Sequence, residues 1–519
     1  MQYTGTPLTE PVSLQNLLST GLETRPEDDA VIAHDARLTW HELDESSTRL
    51  AANLIGLGLK AGDRVASLMP NRIELVVHYL ACIKAGLVAT PLNYRYMAPD
   101  IDHALEVSGA STLLAHAERD ADLKQSKLAA QLPLGVIRYG APKATGPNIE
   151  DLMTGAAPAV KLSPLAGDDP AYIFFTSGST GLPKGVTHTA TTFGWMLASF
   201  ASTTELTRDD TLLPGSSWSH IFAVVVGLAG LSLGAKAVVT HTFDGDELLP
   251  LLREDRPTVL SMLPSALFSL VRDHAATHDD FRSLRVVLAG GDKVADELEL
   301  EFKELTGFTI DELYGMTEFG CSNVNPPSGL NKLGSVGKMG AGFEGEVRDD
   351  ARKALPTGQE GRLWIKARSN MVGYWNNQAA TEETIVDGWL DTGDVMQFDD
   401  DGYLWFHGRK KQIIVHDGSN IAPQEVEGAL VEHPSIQEAG VVGFHHLLHG
   451  ENVRAYVTLQ AGAQRPTSQE LIRFTRERIG YKAPEEIVFL QEMPFNATGK
   501  VDRVALKRMA EEQHKNDPV

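Results

Sequence analysis

Tyr172-Ile173-Phe174-Phe175-Thr176-Ser177-Gly178-Ser179-Thr180-Gly181-Leu182-Pro183-Lys184-Gly185 changes character halfway along. Its first five residues are all aromatic or β-branched, the composition of a buried strand. Thr176 to Thr180 then carries four hydroxyls and a glycine, and Gly181 and Gly185 bracket Pro183 and Lys184. Small residues let backbone N–H groups approach a ligand, hydroxyls donate hydrogen bonds, and a lysine adds positive charge. Polyphosphate is the ligand that such a loop suits best. The loop is not of the Walker A type, because Pro183 stands where the second glycine, counted from Gly178, is required.

The rest of the chain has to supply what this loop lacks. At 519 residues it exceeds one ordinary core, so two or more domains are expected. A net charge of −23 argues against nucleic acid or anionic lipid as partner, so positive charge must be concentrated locally around a phosphate loop. Two cysteines, Cys82 and Cys321, leave no disulfide framework or structural zinc site and fit a cytoplasmic location. Met1 to Pro11 holds neither a basic nor an apolar segment, so no signal peptide is expected. The longest apolar run, Ile221 to Gly234, falls short of the ~20 residues of a membrane span and reads as a buried helix, so no transmembrane segment is expected.

Strands and helices alternate from Leu38 to Leu92, which implies parallel sheets covered by helices. Arg285 to Leu288 reads as a buried strand ending in Ala289-Gly290-Gly291-Asp292 before a helix, the place where α/β proteins hold ligands. In Glu312-Leu313-Tyr314-Gly315-Met316-Thr317-Glu318, Tyr314 offers a stacking face for a purine and Gly315 a sharp turn. A carboxylate beside phosphates repels them unless a cation lies between, so Glu318 points to Mg²⁺; the competing reading is a helix-initiating Thr–Glu pair. Asp387 to Asp394 reads as a glycine-punctuated loop in which Asp394 can accept ribose hydroxyls. His220, before the apolar run, reads equally as a core histidine or a pocket wall. Beyond Lys411 lies a smaller unit of about 110 residues, closing with Lys500 on an Asn/Thr/Gly loop.

Together these segments resemble the adenylate-forming superfamily of acyl-CoA synthetases, peptide-synthetase adenylation domains and beetle luciferases, from about Leu38 to Arg503. The motifs that carry the resemblance are Thr176–Gly185, Tyr314–Glu318, Thr392–Asp394, Gly408–Arg409 and Gly499–Lys500, in the family's order. It implies an α/β fold: a large N-terminal domain of layered α/β sheets with a β-rich subdomain, residues 1–408, and a small mobile α+β C-terminal domain, residues 409–519. It also implies ATP, Mg²⁺ and coenzyme A as ligands and a small carboxylic acid as substrate, and leaves a homo-oligomer open. By the same resemblance Thr176, Ser177, Gly178, Ser179, Thr180, Gly181 and Lys184 handle the β- and γ-phosphates, with Thr176 and Glu318 at the metal. Gly290, Gly291, Asp292, Glu312, Tyr314 and Gly315 surround adenine, Thr317 touches the α-phosphate, and Asp394 and Arg409 hold the ribose. Lys411 is the hinge, Gly418 borders the pantetheine channel, His220 is the gate and Lys500 forms the adenylate.

Two departures from the family's pattern stand out. Glu312 replaces an Asn or Gln beside the adenine amino group, and Trp218-Ser219-His220 replaces a Pro-Leu-Phe-His run, so Trp218 is expected to alter the acyl pocket. Phe319, Cys321 and Val324 suggest an apolar acid. The alternatives are an enzyme that loads a separate carrier protein and a non-catalytic nucleotide sensor; the second is disfavoured because Lys184, Glu318 and Lys500 are all retained.

Overall fold

The computed structural model describes residues 1, 5, 7–141, 146–176, 183–291, 294, 296–409, 412, 414–416, 419–446, 450–496 and 499–516. They divide into two compact units. The first comprises Met1–Gly345 and Ile365–Leu390, the second Glu346–Trp364 and Asp391–Val519.

Two sheets build the first unit. One has seven strands in the order Gly373–Tyr374, Gly185–Thr189, Pro170–Phe175, Val88–Pro91, Arg64–Leu68, Thr112–His116 and Val136–Tyr139. Its five strands from Pro170–Phe175 to Val136–Tyr139 run parallel, while Gly185–Thr189 folds back antiparallel on Pro170–Phe175. The other has nine strands, with Val286–Gly290, Val259–Met262, Thr211–Gly215, Lys236–Val238 and Asp29–Ile32 as its parallel centre. Asp311–Met316 continues it in parallel, and Gly320–Val324 returns antiparallel as a hairpin.

One apolar core runs through both sheets and the helices Trp40–Gly56, Ile73–Ala85, Ala190–Thr203 and Ile221–Leu233, and a second joins the nine-stranded sheet to the helices Gly245–Glu254 and Asp296–Thr306. The helix Ile221–Leu233 is the apolar run of the sequence. It is capped by Gly234 at φ +83°, a left-handed position that glycine takes without strain. Among the described residues no helix is long and apolar enough to cross a membrane.

Trp218 is fully buried in the first core, and the Tyr79 hydroxyl donates to its carbonyl oxygen at 2.7 Å. Its ring sits so close to Gly227 that a Cβ there would lie 2.1 Å from Cη2. The tryptophan that breaks the family's pattern therefore packs against the helix that follows His220.

The central strands are clamped at their amino ends. Asp210, only 3% exposed, precedes Thr211–Gly215; it accepts two hydrogen bonds from Arg285 at 2.8 and 2.5 Å and one from the Thr258 hydroxyl at 2.6 Å. Thr258 and Arg285 precede the two neighbouring strands, so one carboxylate ties three strand starts together. Burial pulls this carboxyl up, but hydrogen bonds from Arg285, Thr258 and the Thr207 N–H outweigh it and hold the group below its usual range.

The second unit contains, from Asp391 onward, the antiparallel pair formed by the strands Trp389–Phe398 and Leu404–Arg409. Asp387–Asp394, expected as a loop, is instead a turn leading into a strand that alternates half-buried and buried over its whole length. Its three carboxylates and two glycines hide that period of two. The C-terminal part has a sheet ordered Ser419–Ile421, Ile414–His416, Gly450–Leu459 and Ile436–His446, with Glu486–Phe489 parallel to Gly450–Leu459. The helices Pro423–Val431, Ser468–Ile479 and Arg503–Asn516 accompany it.

Candidate active site

The two ends of the hydroxyl-rich loop are joined through the backbone. The Thr176 N–H donates to the Lys184 carbonyl at 3.1 Å, closing the antiparallel pair on which the loop stands. His103 Nε2 lies 2.8 Å from the Pro183 carbonyl, which can only accept, so that nitrogen carries the proton. Of the loop residues singled out from sequence, Ser177, Gly178, Ser179, Thr180 and Gly181 lie outside the described residues, as do Asp292, Lys411 and Gly418.

Lys184 Nζ rests 4.0 Å from the centroid of the Tyr374 ring. The Tyr374 hydroxyl, in turn, donates to Glu318 Oε1 at 2.8 Å. Tyr374 is held there by its short strand beside Gly185–Thr189 and by its N–H donating to Thr381 Oγ1 at 2.9 Å. The Val372 N–H donates to Thr187 O, the Trp375 N–H to Gly185 O and the Met371 N–H to Glu318 O, at 3.1, 2.7 and 2.7 Å. Burial, reinforced by the charge of Glu318, pushes the Tyr374 phenol well above its usual range, so it remains a neutral donor.

Thr317 and Glu318 occupy the turn between Asp311–Met316 and Gly320–Val324; they initiate no helix. Gly315 does not turn the chain, as expected, but lies in the strand. Its missing side chain matters because a Cβ there would be 2.3 Å from Gly320 O and 3.0 Å from Cys321 Cα. Gly320 completes the turn at φ +90°. His188, fully buried, places Nε2 2.8 Å from the Thr317 carbonyl and so donates to it. Burial pulls this histidine down to about 4, which keeps the ring neutral at pH 7.

Gly290 ends its strand against Leu313, and Gly291 follows at φ +88°. Tyr314, half-buried, lies in the next strand. Glu312 is 2% exposed and accepts from the Val294 N–H at 3.2 Å, so it also fixes the chain before the helix Asp296–Thr306. His220 is the residue before the apolar helix, with Nε2 3.4 Å from Asn93 Nδ2. The first unit thus carries Thr176, Lys184, His220, Gly290, Gly291, Glu312, Tyr314, Gly315, Thr317 and Glu318.

The second unit carries Asp394, Arg409 and Lys500. Asp394, 1% exposed, faces Arg409 across the strand pair and accepts from its Nε at 2.9 Å. Lys500 sits in a tight turn. The Asn496 N–H donates to Lys500 O at 2.8 Å, Asn496 Oδ1 accepts from the Lys500 N–H at 3.1 Å, and Gly499 stands at φ +82°.

Tyr374 and His188 were not singled out from sequence. Tyr374 meets its carboxylate 56 positions away and His188 meets Thr317 129 positions away, so no local pattern announces either contact.

Residues 18–375 match the family model described as AMP-binding enzyme, and residues 425–500 match that of the AMP-binding enzyme C-terminal domain. A 2-succinylbenzoate–CoA ligase of Bacillus licheniformis is 32% identical, over 94% of this chain and 98% of the relative. A feruloyl-CoA synthase of an Amycolatopsis species is 31% identical, over 93% and 96%. Among solved structures, the anthranilate CoA ligase AuaEII in complex with anthranoyl-AMP superposes with a TM-score of 0.89 at 25% identity, covering 98% of this chain and 99% of its own. The chain belongs to the family of AMP-binding enzymes, in the adenylate-forming superfamily, and is an acid–thiol ligase.

Proposed function

We propose that this enzyme joins an apolar carboxylic acid to coenzyme A through an acyl-adenylate. The substrate carboxylate attacks the α-phosphorus of ATP, the bond to the pyrophosphate oxygen breaks, and the acyl-adenylate forms. The thiol of coenzyme A then attacks the acyl carbonyl and AMP leaves. Both reactants of the first step are anions, so positioning and neutralisation of charge carry most of the catalysis.

One observation carries the reading. A lysine at the edge of a hydroxyl-rich loop and a nearly buried carboxylate meet on one side chain, Tyr374, which brings together a cation and an oxygen donor suited to a metal-assisted polyphosphate site. In this reading Thr176, Ser177, Gly178, Ser179, Thr180, Gly181 and Lys184 bind the β- and γ-phosphates. Gly290, Gly291, Asp292, Glu312, Tyr314 and Gly315 enclose adenine, and Thr317 contacts the α-phosphate. Asp394 and Arg409 bind the ribose. The Glu318 carboxylate, 5% exposed, and the Thr176 hydroxyl are hard oxygen donors suited to Mg²⁺, which when bound neutralises phosphate charge. Lys500 stabilises charge on the α-phosphoryl group. The domain division falls at residues 408 and 409, with Lys411 as hinge and Gly418 beside the pantetheine arm.

The apolar acid is supported by the turn and hairpin strand after Glu318, where Phe319, Cys321 and Val324 are all buried. His220 gates this side, and the catalytic groups are Lys500, Thr317, Glu318 and His220.

Lys500→Ala tests the reading. It is expected to cut ATP–pyrophosphate exchange ~10²-fold or more, the scale for losing one preorganised donor. CoA thioester formation from supplied acyl-adenylate should be largely spared. Exchange near the wild-type rate in this variant would remove Lys500 from the first step.

A further inference from the structure

Tyr374 lies outside every motif that defines the site, yet two of the site's charged groups meet on it. Lys184 lies over its ring face, 4.0 Å from the centroid, and Glu318 accepts a hydrogen bond from its hydroxyl at 2.8 Å. The two contacts use different parts of one side chain. The face of an aromatic ring is electron-rich and attracts an ammonium group, while the hydroxyl at its edge donates to a carboxylate.

The fold holds this ring rigidly. Tyr374 is 7% exposed, its N–H is bound to Thr381 Oγ1, and its strand is paired to the strand that follows Lys184. Gly373, at φ +150°, has no room for a side chain, since a Cβ would lie 2.8 Å from Thr381 Cγ2. The Met371 N–H donates to Glu318 O, so the same segment also fixes the backbone of the carboxylate.

We propose that Tyr374 is a positioning residue that holds Lys184 and Glu318 apart on one neutral phenol, keeping the cation aimed at phosphate and the carboxylate aimed at the metal. The inference rests on the assignment of Lys184 and Glu318 to the Mg²⁺–ATP site made above. Without the phenol, opposite charges on neighbouring walls would pair with each other. With it, each is engaged by a group that carries no net charge and that both can leave or keep as nucleotide arrives.

The two contacts can be removed separately. Tyr374→Phe keeps the ring face and deletes the hydroxyl; Tyr374→Ala deletes both. The assay is calorimetric titration of the full-length protein with ATP, once with saturating Mg²⁺ and once in EDTA, with thermal melting to confirm that each variant is folded. The ratio of the two dissociation constants reads how much the metal contributes. For Tyr374→Phe that ratio is expected to fall ~10-fold or more, the usual effect of removing a hydrogen-bond partner from a metal-binding carboxylate. The EDTA value should stay within about twofold of wild type, because Lys184 keeps its platform. For Tyr374→Ala the EDTA affinity should fall as well.

Glu318→Gln is the control. If it abolishes the metal's contribution while Tyr374→Phe retains the wild-type ratio, the role given to Tyr374 is wrong and the site assignment stands. If Glu318→Gln retains the wild-type ratio, the metal assignment fails and this inference fails with it. Should Tyr374→Ala prove unfolded, Tyr374→Phe alone decides.

Discussion

Adding one methyl group at Gly315 tests how tightly the fold and the chemistry are joined. Gly315 lies in the strand Asp311–Met316, two residues before Thr317, where the chain passes Gly320 and Cys321 at very short range. A Cβ at 315 would stand 2.3 Å from Gly320 O and 3.0 Å from Gly320 C and Cys321 Cα. All three are backbone atoms, so no rotamer change can relieve the overlap. The hairpin has to open by about 1 Å, since non-bonded atoms settle only near 3.5 Å. Overpacking of this kind costs ~1–3 kcal/mol, and alanine returns up to ~1 kcal/mol by restricting the unfolded chain, because φ at 315 is not left-handed.

The expected loss of stability for Gly315→Ala is therefore modest, about 1–2 kcal/mol or a few degrees in Tm. The expected loss of function is larger. Thr317 and Glu318 ride on the turn that this opening would shift, and a misplacement of about 1 Å at a reacting centre costs ~10²-fold in rate. ATP–pyrophosphate exchange, read alongside a thermal melt, separates the two effects. An exchange rate within threefold of wild type would refute the claim that close approach at Gly315 sets the position of Thr317 and Glu318.

Other expectations concern stability. Gly428 sits inside the helix Pro423–Val431 with nothing within 4 Å of a built Cβ, so Gly428→Ala should stabilise the protein by up to ~1 kcal/mol; a lowered denaturation midpoint in urea would count against it. His78, 1% exposed in the helix Ile73–Ala85, is pulled by burial from 6.5 to about 4. The unfolded chain therefore takes up a proton that the native state refuses, and stability is lost as pH falls from about 6.5 towards 4, by about 3 kcal/mol in all. His78→Met should flatten the fall in urea midpoint between pH 7 and pH 4.5; an unchanged slope would show that another group is responsible.

The parts legible in the sequence were those governed by local chemistry. Ile221 to Leu233 reads as a buried helix because its residues are apolar all round and Gly234 ends it. The strand Pro170–Phe175 reads directly from its aromatic and β-branched composition. Reading failed where a tertiary relation overrode local character. Asp387 to Asp394 has the composition of a turn, yet Asp394 is buried in a strand because Arg409 stands opposite to pair with it. For Thr317-Glu318 it was the competing helix-start reading that fell, because the antiparallel approach of Gly320–Val324 makes the pair a hairpin turn. Gly315 was read as a turn glycine, whereas it is small because another backbone passes beside it. Tyr374 shows the limit most clearly, since both of its charged partners come from elsewhere in the chain.

The clamp at Asp210 has a consequence for how this molecule can change. Asp210, Thr258 and Arg285 secure three neighbouring parallel strands at their amino ends, while Gly290, at the carboxyl end of one of them, belongs to the proposed nucleotide site. Stability and chemistry are thus anchored at opposite ends of the same strands. Mutations near the carboxyl ends can reshape what the site accepts without loosening the polar anchor that holds the strands in register. Loss of the anchor would weaken the sheet whatever acid the enzyme uses. Such a division makes the scaffold tolerant of drift in substrate choice and intolerant of drift at its base.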